Sequence, residues 1–482
     1  MEQEKSYRDV KGKIQIGKTP IRSKTKALYD GGLSRSSVEH PVMGEEQRAG
    51  VIQMTLDLST SQRRKSRTVD SKVIPITTQM VWEAYKRVRK NKGGFGVDRE
   101  SIADYEESLS DNLYKLWNRL TSGSYHPPAV LEVEIPKKDG KPRKLGIPTV
   151  SDRIAQQVLK TYLEPRLEAV FSENSYGYRP NKSAHQAVQE VRKNVWKQGW
   201  VIDMDIKSFF DKVSHDLLMK ALEKHVDENW VKFYIIRWLK APIEDKQGNR
   251  RYRNEEGTPQ GGVISPLLAN LFLHYVFDKW MDQNFSNLKY VRYADDVIIH
   301  CTSESQSKYV LALVTARFRK CKLELHEKKT KIVYCKRDKR KGNYPTIEFD
   351  FLGFNFKPRS TATKEGVMFL SYDCAISKSN EKKIVGELKQ SKFHRWTGRS
   401  IDEIAKSFNP RIRGWINYYG KFRIHTLSRV FKRFNHRLIS WAVNRYKHFK
   451  RSRVKAGKWI RRLSISYPGL FFHWKLSYLR SA

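Results

Sequence analysis

The stretch Lys289-Tyr-Val-Arg-Tyr-Ala-Asp-Asp-Val-Ile-Ile-His300 is the most informative part of this 482-residue chain. Aromatic and β-branched residues flank two adjacent carboxylates, Asp295 and Asp296, which predicts a strand, a tight turn and a second strand. Neighbouring carboxylates on a turn repel each other unless a cation lies between them. Oxygen ligands on a rigid turn are what Mg²⁺ needs at a phosphoryl-transfer site, so the stretch predicts such a site. A solvated Asp-Asp turn is the alternative interpretation.

A second acidic stretch lies upstream, at Val201-Ile-Asp-Met-Asp-Ile-Lys207. Apolar and charged residues alternate there, so Asp203 and Asp205 are predicted to share one face of a strand, with the apolar residues on the other. One of these aspartates can complete a three-carboxylate site with Asp295 and Asp296. Two Mg²⁺ ions about 3.5–4 Å apart at such a site would activate a 3′-hydroxyl and stabilise a pyrophosphate leaving group. The alternative is an exposed, charged strand edge.

Further motifs follow one another along the chain in a fixed order. They are Asn91-Lys-Gly-Gly-Phe-Gly-Val-Asp98, Ile135-Pro-Lys-Lys-Asp-Gly-Lys-Pro-Arg-Lys-Leu-Gly-Ile-Pro148, Asp152-Arg153, Tyr176-Gly-Tyr-Arg-Pro180, the Asp205 segment, Gly257-Thr-Pro-Gln-Gly-Gly-Val-Ile-Ser-Pro266, the Tyr293 turn, Lys329-Thr330 and Phe351-Leu-Gly-Phe354. This ordered set closely resembles the reverse transcriptases encoded by bacterial group II introns.

The resemblance continues into Asn409-Pro-Arg-Ile-Arg-Gly-Trp-Ile-Asn-Tyr-Tyr-Gly420, which is similar to the maturase (X) domain of those proteins. In total it covers about residues 75–475. Retron, diversity-generating and CRISPR-associated enzymes share the polymerase core, so the maturase-like region is what favours the intron family.

The resemblance implies an α+β fold, a right-hand polymerase with fingers and palm followed by a helical thumb/maturase region. Together with composition, it divides the chain into a basic, largely flexible N-terminal arm (1–75), fingers and palm (76–375), a thumb/maturase domain (376–450) and a basic C-terminal nucleic-acid-binding segment (451–482). Apolar residues at three- and four-residue spacing predict helices within 76–122. Helices are predicted again from Lys378 onward, with a break near Pro410 and Gly414.

The resemblance also assigns catalytic and metal-binding residues. Asp205 matches the family's first metal-binding aspartate, in Asp-Ile-Lys-x-Phe-Phe-Asp, and Asp295 and Asp296 match the pair in its Tyr-x-Asp-Asp turn. It places Ile206 in the metal site beside Asp205, and it implies two Mg²⁺ ions, with Mn²⁺ as the alternative ion. Two neighbouring acids are expected to support this site, Asp203 and Asp211.

Three positions are expected to lie around the incoming nucleotide. Phe210 falls where the family has an aromatic steric gate under the sugar, which would exclude a 2′-hydroxyl and select dNTPs; a core aromatic is the alternative. Gln260 matches the residue beside the incoming nucleotide and the template base. Gly261, in the same Pro-Gln-Gly-Gly motif, lets the backbone approach closely.

A hairpin is predicted by the Asp139-Gly140 dipeptide between two basic, β-prone runs. Lys137, Lys138 and Arg143 on this hairpin would clamp the triphosphate, and Arg143 offers a bidentate fork. The family usually has proline where this chain has Lys144, so the sequence leaves open which basic residue binds the phosphates.

The charge of the chain indicates a polyanionic partner. There are 93 Lys and Arg against 51 Asp and Glu, a net charge of +42. From Ile404 to Ala482 there are 20 Lys and Arg, 16 aromatic residues and no Asp or Glu, which favours a folded RNA surface over a solvated tail. The predicted nucleic-acid-binding residues are Arg411, Arg413, Trp415, Tyr418, Arg451, Arg453, Arg461 and Arg462. For Trp415 and Tyr418, thumb-core aromatics are an equally good interpretation.

The expected partners are group II intron RNA or another RNA template, a target DNA primer and dNTPs. No membrane is expected, because the uncharged stretch from Gly257 to Phe277 contains prolines, glycines and polar residues and predicts a buried loop and helix. A charged N-terminus and four scattered cysteines (Cys301, Cys321, Cys335, Cys374) fit a bacterial cytoplasmic protein associated with the nucleoid or a ribonucleoprotein.

Many intron-encoded relatives end in an HNH-type endonuclease with paired cysteines. This sequence continues for about sixty residues after Gly420 without such a pair, so the endonuclease-lacking type is expected, priming from a nick or a replication-fork strand. Two alternatives stay open: a free-standing reverse transcriptase in repair or phage defence, and a splicing-only RNA-binding maturase. Phe210 disfavours a third, an RNA-directed RNA polymerase.

Overall fold

The computed structural model of the chain describes residues 74–135, 143–363 and 365–476. All of them belong to one structural unit. Several sequence predictions lie outside the described residues: the arm up to residue 73, the Asp139-Gly140 turn, and both Lys137 and Lys138.

Helices and strands alternate through the first three quarters of the described chain, and helices alone follow. The helices are α1 (Thr78–Asn91), α2 (Ile102–Glu107), α3 (Leu109–Thr121), α4 (Val150–Glu168), α5 (Ala184–Lys197), α6 (Phe209–Lys212), α7 (His215–Glu223), α8 (Asn229–Lys240), α9 (Ser265–Leu273), α10 (Lys279–Asn284), α11 (Glu304–Lys320), α12 (Lys378–Gln390), α13 (Ile401–Arg423), α14 (Ser428–Arg445) and α15 (Arg453–Ser466). The strands are β1 (Val130–Ile135), β2 (Arg143–Ile147), β3 (Trp200–Asp205), β4 (Ile243–Glu244), β5 (Arg250–Arg251), β6 (Lys289–Tyr293), β7 (Asp296–Cys301), β8 (Lys331–Tyr334), β9 (Phe349–Phe351), β10 (Phe354–Ala362) and β11 (Met368–Ile376). A π-helix (His274–Asp278) joins α9 to α10.

The N-terminal helices confirm the prediction for residues 76–122. In α1 the buried residues Val81, Ala84, Tyr85 and Val88 recur at helical spacing and pack toward α4. The hydroxyl of Thr77 accepts a hydrogen bond from the main-chain N–H of Met80, which caps the helix. Next to these helices, β1 pairs with β2 in antiparallel register in a sheet of order β2-β1-β4-β5.

The palm sheet has the order β6-β7-β3-β8 and is antiparallel throughout. Alternate residues of β3 enter different cores. Ile202 and Met204 belong to the largest core, and Val201 belongs to a smaller one on the other face. Both faces of the sheet are thus covered, and Asp205 and Asp296 lie opposite each other at one end of the β3–β7 ladder. The predicted alternation of β3 is thus confirmed.

The stretch from Gly257 to Phe277 forms a loop, the buried helix α9 and most of the π-helix. Within the described ranges, no helix combines the length and apolar composition needed to cross a bilayer.

The predicted helix break near Pro410 and Gly414 is wrong, because α13 runs without interruption from Ile401 to Arg423. Proline inside a helix costs about 3 kcal/mol, so tertiary contacts must compensate. Asn409 provides two of them: its Nδ2 donates to the carbonyl of Leu470, and its Oδ1 accepts from the N–H of Phe472, both at 2.9 Å.

A separate hydrophobic core joins α12 to the C-terminal residues. Helices α12, α13 and α14 contribute to it, and so do Ala456, Ile460, Phe471 and Trp474. The sequence division at residue 450 therefore does not coincide with a boundary between cores. In this last segment, Lys455, Lys458, Arg461 and Arg462 lie on α15, whose apolar residues contribute to the thumb core.

Candidate active site

The two adjacent carboxylates lie at a tight turn between β6 and β7. Tyr293 ends β6 and pairs with Asp296, which begins β7, so Ala294 and Asp295 form a two-residue loop. Ala294 has φ +55°, in the left-handed region that such hairpin loops use. A residue with a Cβ loses roughly 1–2 kcal/mol in that region, so neighbouring structure must hold the turn. The predicted strand, turn and strand are confirmed.

Asp205 approaches the same end of the palm sheet from β3. It is the last residue of β3 and pairs directly with Asp296 across the antiparallel ladder. Asp203, two residues earlier, pairs with Lys331 of β8. Two acidic segments about 90 residues apart in sequence are therefore adjacent in space. The roles of these residues stay predictions.

The carboxylates at this sheet end are electrostatically crowded. The pKa of Asp296 is raised to about 7, first by burial and then by Asp295 and Asp205. The pKa of Asp203 is raised to about 8, first by burial and then by Asp296. The raised pKa favours the protonated form of Asp203, which suits a supporting acid better than a metal ligand. A divalent cation would relieve the repulsion among the other three.

Lys329 places a cation beside these carboxylates. Its Nζ lies 2.9 Å from Asp205 Oδ2. In the part of the chain that the structure describes, no three His, Cys, Asp or Glu side chains are grouped so that they could hold a metal ion. The described residues thus do not form a ready-made metal site, and one of the three predicted ligands, Asp205, contacts the ammonium group instead. The oxygen donors of Asp205, Asp295 and Asp296 suit Mg²⁺ or Mn²⁺ chemically.

Two other predicted members of the site differ in what they can offer. Ile206 is buried and forms an isolated β-bridge with Leu325. Because its side chain is aliphatic, only its main-chain carbonyl could serve as a metal ligand. Asp211 is exposed on α6 and lines a cavity together with Gln260.

Phe210 lies in the main core and also contacts the Gln260 loop. It is 8% exposed, and its ring meets that of Phe209 edge to face with centroids 5.4 Å apart. Its carbonyl accepts a hydrogen bond from the N–H of Thr258 at 2.7 Å. Phe210 is therefore packed in the core and also lies beside the Pro-Gln-Gly-Gly motif, so the structure is compatible with both interpretations of this residue.

The close backbone approach expected at Gly261 is made to the protein's own strand β2. Gly261 has φ +117°, and a Cβ there would collide with the carbonyl oxygen of Gly146. The N–H of Gly146 donates to the carbonyl of Gln260 at 2.6 Å. Glycine is therefore needed to join this loop to the fingers sheet.

The cavity beside this loop contains cations that sequence interpretation missed. Arg251 and Arg253 line it together with Lys144. Lys144 Nζ lies 2.9 Å from Glu132 Oε1, and Arg251 pairs with the same carboxylate. Arg143 begins β2 opposite Ile135. The basic run at 250–253 is the sequence signal that could have indicated these residues.

The predicted nucleic-acid-binding residues fall into two groups. The arginines are exposed: Arg411, Arg413, Arg451, Arg453, Arg461 and Arg462. Trp415 packs against the thumb core. The hydroxyl of Tyr418 donates to the carbonyl of Leu352 at 2.8 Å, and the carbonyl of Tyr418 lies 2.8 Å from His185 Nε2. Of the two interpretations left open for Trp415 and Tyr418, this packing supports the structural one.

A basic groove between α12 and α14 was not anticipated. Both helices contribute basic side chains to it: Lys378, Lys382, Lys389, Arg429, Lys432, Arg433 and His436. Glu381 is the single acid among the residues that line it. An adjoining pocket adds His394, Arg437 and Arg453. We call this surface the α12–α14 groove. Its cations are about 50 residues apart in sequence, so no local pattern reveals them.

Two parts of the chain match known protein families. Residues 135–356 match the family described as reverse transcriptase (RNA-dependent DNA polymerase), and residues 381–459 match the group II intron, maturase-specific domain. The active-site turn and the α12–α14 groove thus fall in separate matched regions.

Three curated proteins are similar to parts of this chain. Protein YkfC of Escherichia coli is 35% identical over 44% of this chain and 58% of its own length. The group II intron-encoded protein LtrA of Lactococcus lactis is 28% identical over 70% of this chain and 68% of its own. The putative COX1/OXI3 intron 1 protein of Saccharomyces cerevisiae is 24% identical over 74% of this chain and 54% of its own. This chain thus spans between about half and two thirds of these relatives. The chain thus carries a reverse transcriptase domain followed by a group II intron maturase-specific domain.

Proposed function

We propose that this protein extends a DNA primer along an RNA template with dNTPs, and that Asp205, Asp295 and Asp296 hold the divalent ions of the reaction. The observation that supports this most is the direct pairing of Asp205 with Asp296 beside the Ala294–Asp295 turn. Two bound ions would supply Lewis-acid activation of the primer 3′-hydroxyl and charge neutralisation at the triphosphate.

The side chains around the carboxylates would control when the site forms. Asp205 has to exchange the ammonium of Lys329 for a metal ion, and Asp296, with a pKa near 7, has to lose its proton. The buried sheet behind them fixes the strand ends, so only side chains need to rearrange.

The nucleotide would lie between the Gln260 loop and Phe210. The hydrogen bond from Thr258 to Phe210 holds these two elements together. An aromatic ring at this position would leave no room for a 2′-hydroxyl, which selects dNTPs. The basic hairpin of Lys137, Lys138 and Arg143 would bind the triphosphate.

We propose that the intron RNA binds the α12–α14 groove and the exposed arginines of the C-terminal helices, in support of splicing and mobility. The groove concentrates cations from two helices, and exposed Arg461 and Arg462 extend the positive surface. Phosphate contacts dominate nucleic-acid affinity, so such a surface is suited to folded RNA. An RNA partner of this kind would keep the protein in a ribonucleoprotein or at the bacterial nucleoid.

Primer extension on a defined RNA template tests the polymerase proposal. Wild-type protein should add dNTPs with Mg²⁺, while Asp205→Asn and Asp295→Asn should lose extension and keep RNA binding. Asp216→Asn is the matched control, since Asp216 is an exposed carboxylate paired with Lys220 on α7. Extension by the Asp205 variant at the wild-type rate would overturn the proposal.

A further inference from the structure

A fully buried ion pair lies directly behind the active-site turn. Arg292 of β6 and Asp278, the last residue of the π-helix, both have side chains with no exposed surface. The contact is bidentate, with Nε 2.8 Å from Oδ1 and Nη2 2.5 Å from Oδ2. Burying two charges is costly, and a buried ion pair is on average a poor source of stability. Its presence here calls for a reason other than stability.

The remaining guanidinium nitrogen reaches the turn itself. Nη1 of Arg292 donates to the carbonyl of Ala294 at 3.2 Å and to Asn270 Oδ1 at 3.0 Å. The Ala294 peptide leads into Asp295, so fixing its carbonyl fixes the peptide plane from which the Asp295 side chain starts. This is also the residue with φ +55°, which needs external support.

Asn270 links the pair to a second segment that packs on the turn. Its Nδ2 donates to the carbonyl of Gly177 at 2.7 Å. A Cβ at Gly177 would collide with the main-chain nitrogen of Ala294, so this segment lies against the turn. The N–H of Arg292 donates to the carbonyl of Asn174 at 2.9 Å, which completes the attachment. The turn is held from both sides through Arg292.

Asp278 ends a π-helix, whose geometry changes the direction of the side chains along it. Each residue of an α-helix advances by about 100°, so one extra residue in a wider turn rotates every later side chain by about that angle. The five residues His274–Asp278 make this insertion immediately before α10. Asp278 then faces the inside of the palm, where Arg292 meets it.

We propose that Arg292, Asp278 and Asn270 are positioning residues that hold the Ala294–Asp295 turn in its reactive conformation. All three side chains are buried behind the turn and act through its main chain. The inference rests on the polymerase function proposed above.

The test compares Arg292→Lys with a control at another buried carboxylate that pairs with arginine. Lysine keeps the charge but cannot make the bidentate pair or the bond to Ala294. The control is Asp373→Asn: Asp373 lies on β11, is 4% exposed and pairs with Arg192 of α5 and Arg423 of α13. Both variants should unfold at a lower temperature than wild type. The assays are carried out at a temperature below the unfolding transitions of both variants. They measure kcat, the KM for dNTP and the RNA affinity separately.

Arg292→Lys should lower kcat about 10- to 100-fold, because a shift of about 1 Å in a reacting group has effects of that size. RNA affinity should stay within about twofold, and Asp373→Asn should keep kcat within about threefold of wild type. Asn270→Ala, which leaves the ion pair intact, should lower kcat in the same direction and keeps the test informative if Arg292→Lys does not fold.

A wild-type kcat in both Arg292→Lys and Asn270→Ala would overturn the inference. So would an equal loss of kcat in Asp373→Asn, since that would make the effect one of general stability. If the proposed polymerase function itself were wrong, Asp296→Asn would retain primer extension whatever the result for Arg292→Lys. This outcome differs from failure of the positioning inference alone.

Discussion

The ammonium nitrogen of Lys329 lies 2.9 Å from Asp205 Oδ2, at the sheet end where Asp205 pairs with Asp296. A side-chain cation therefore partly neutralises a group of carboxylates in which burial, followed by repulsion from Asp295 and Asp205, raises the pKa of Asp296 to about 7. The Lys329-Thr330 motif, which sequence alone shows only as one member of an ordered series, thus has a physical role: it places a cation that a metal ion has to displace.

Removing this cation should make the protein more dependent on divalent ions. Lys329→Ala leaves the carboxylates uncompensated, so the unfolding temperature without Mg²⁺ should fall below that of wild type, and the increase on adding Mg²⁺ should be larger. Thermal unfolding with and without Mg²⁺ measures both quantities. Lys308→Ala, which removes an exposed lysine paired with Glu304 on α11, is the control. An identical Mg²⁺ effect in the Lys329 variant and wild type would contradict this role.

Sugar selection should depend on Phe210 and not on its neighbour. Phe210→Val should admit ribonucleotides much better while dNTP use changes by a modest factor, because the smaller side chain leaves room for a 2′-hydroxyl. Phe209→Val is a close control, since Phe209 is 2% exposed in the same core. It should lower stability without changing rNTP discrimination. If both variants discriminate like wild type, Phe210 is only a core residue.

RNA binding should show a steep dependence on salt that weakens when cations are reversed. Removing one cation–phosphate interaction lowers the slope of log affinity against log salt by about 0.7 to 0.9. Lys432→Glu/Arg433→Glu in the α12–α14 groove and Arg411→Glu/Arg413→Glu on α13 change the net charge equally, so a non-specific effect would be the same in both. We expect weaker binding and a flatter slope for each pair, with the larger effect in the groove.

Salt titrations of the two double variants beside wild type provide the measurement. Unchanged affinity and slope in the Arg411/Arg413 variant would make that motif structural. The same result in the groove variant would place the RNA elsewhere on the basic surface.

The parts of the fold and of the candidate site that could be predicted are those that a short stretch of sequence specifies. The β3 alternation and the β6–β7 turn follow from local patterns, and their pairing follows from the family resemblance. The continuity of α13 through Pro410 could not be predicted, because Asn409 is held by residues about 60 positions later. The Arg292–Asp278 pair could not be predicted either, since charged residues are ordinarily assigned to the surface and both of these are fully buried.

Stability should fall in acid because of His300 on β7. Burial lowers the pKa of His300 to about 3, and neither ring nitrogen has a hydrogen-bond partner among the described residues. The unfolded chain binds a proton near pH 6.5 while the folded chain does not, so stability is lost as pH falls from about 6.5 toward 3. Between pH 7.5 and 5.5 this residue should account for about 1.4 kcal/mol of that loss.

His300→Leu should therefore show a smaller loss of unfolding free energy than wild type over the same pH interval. Denaturant unfolding at pH 7.5 and 5.5 gives the comparison. Equal losses in the two proteins would mean that His300 is protonated or solvated in the folded state.

The central claim, that paired aspartates at the end of the palm sheet carry out DNA synthesis on RNA, is tested most directly by single-turnover addition of one dNTP to a DNA primer on an RNA template. Asp296→Asn preserves the size of the side chain and removes its charge. The account predicts a rate lower by orders of magnitude than that of wild type, with RNA affinity unchanged. Addition within a few-fold of the wild-type rate, with RNA affinity likewise unchanged, would contradict it.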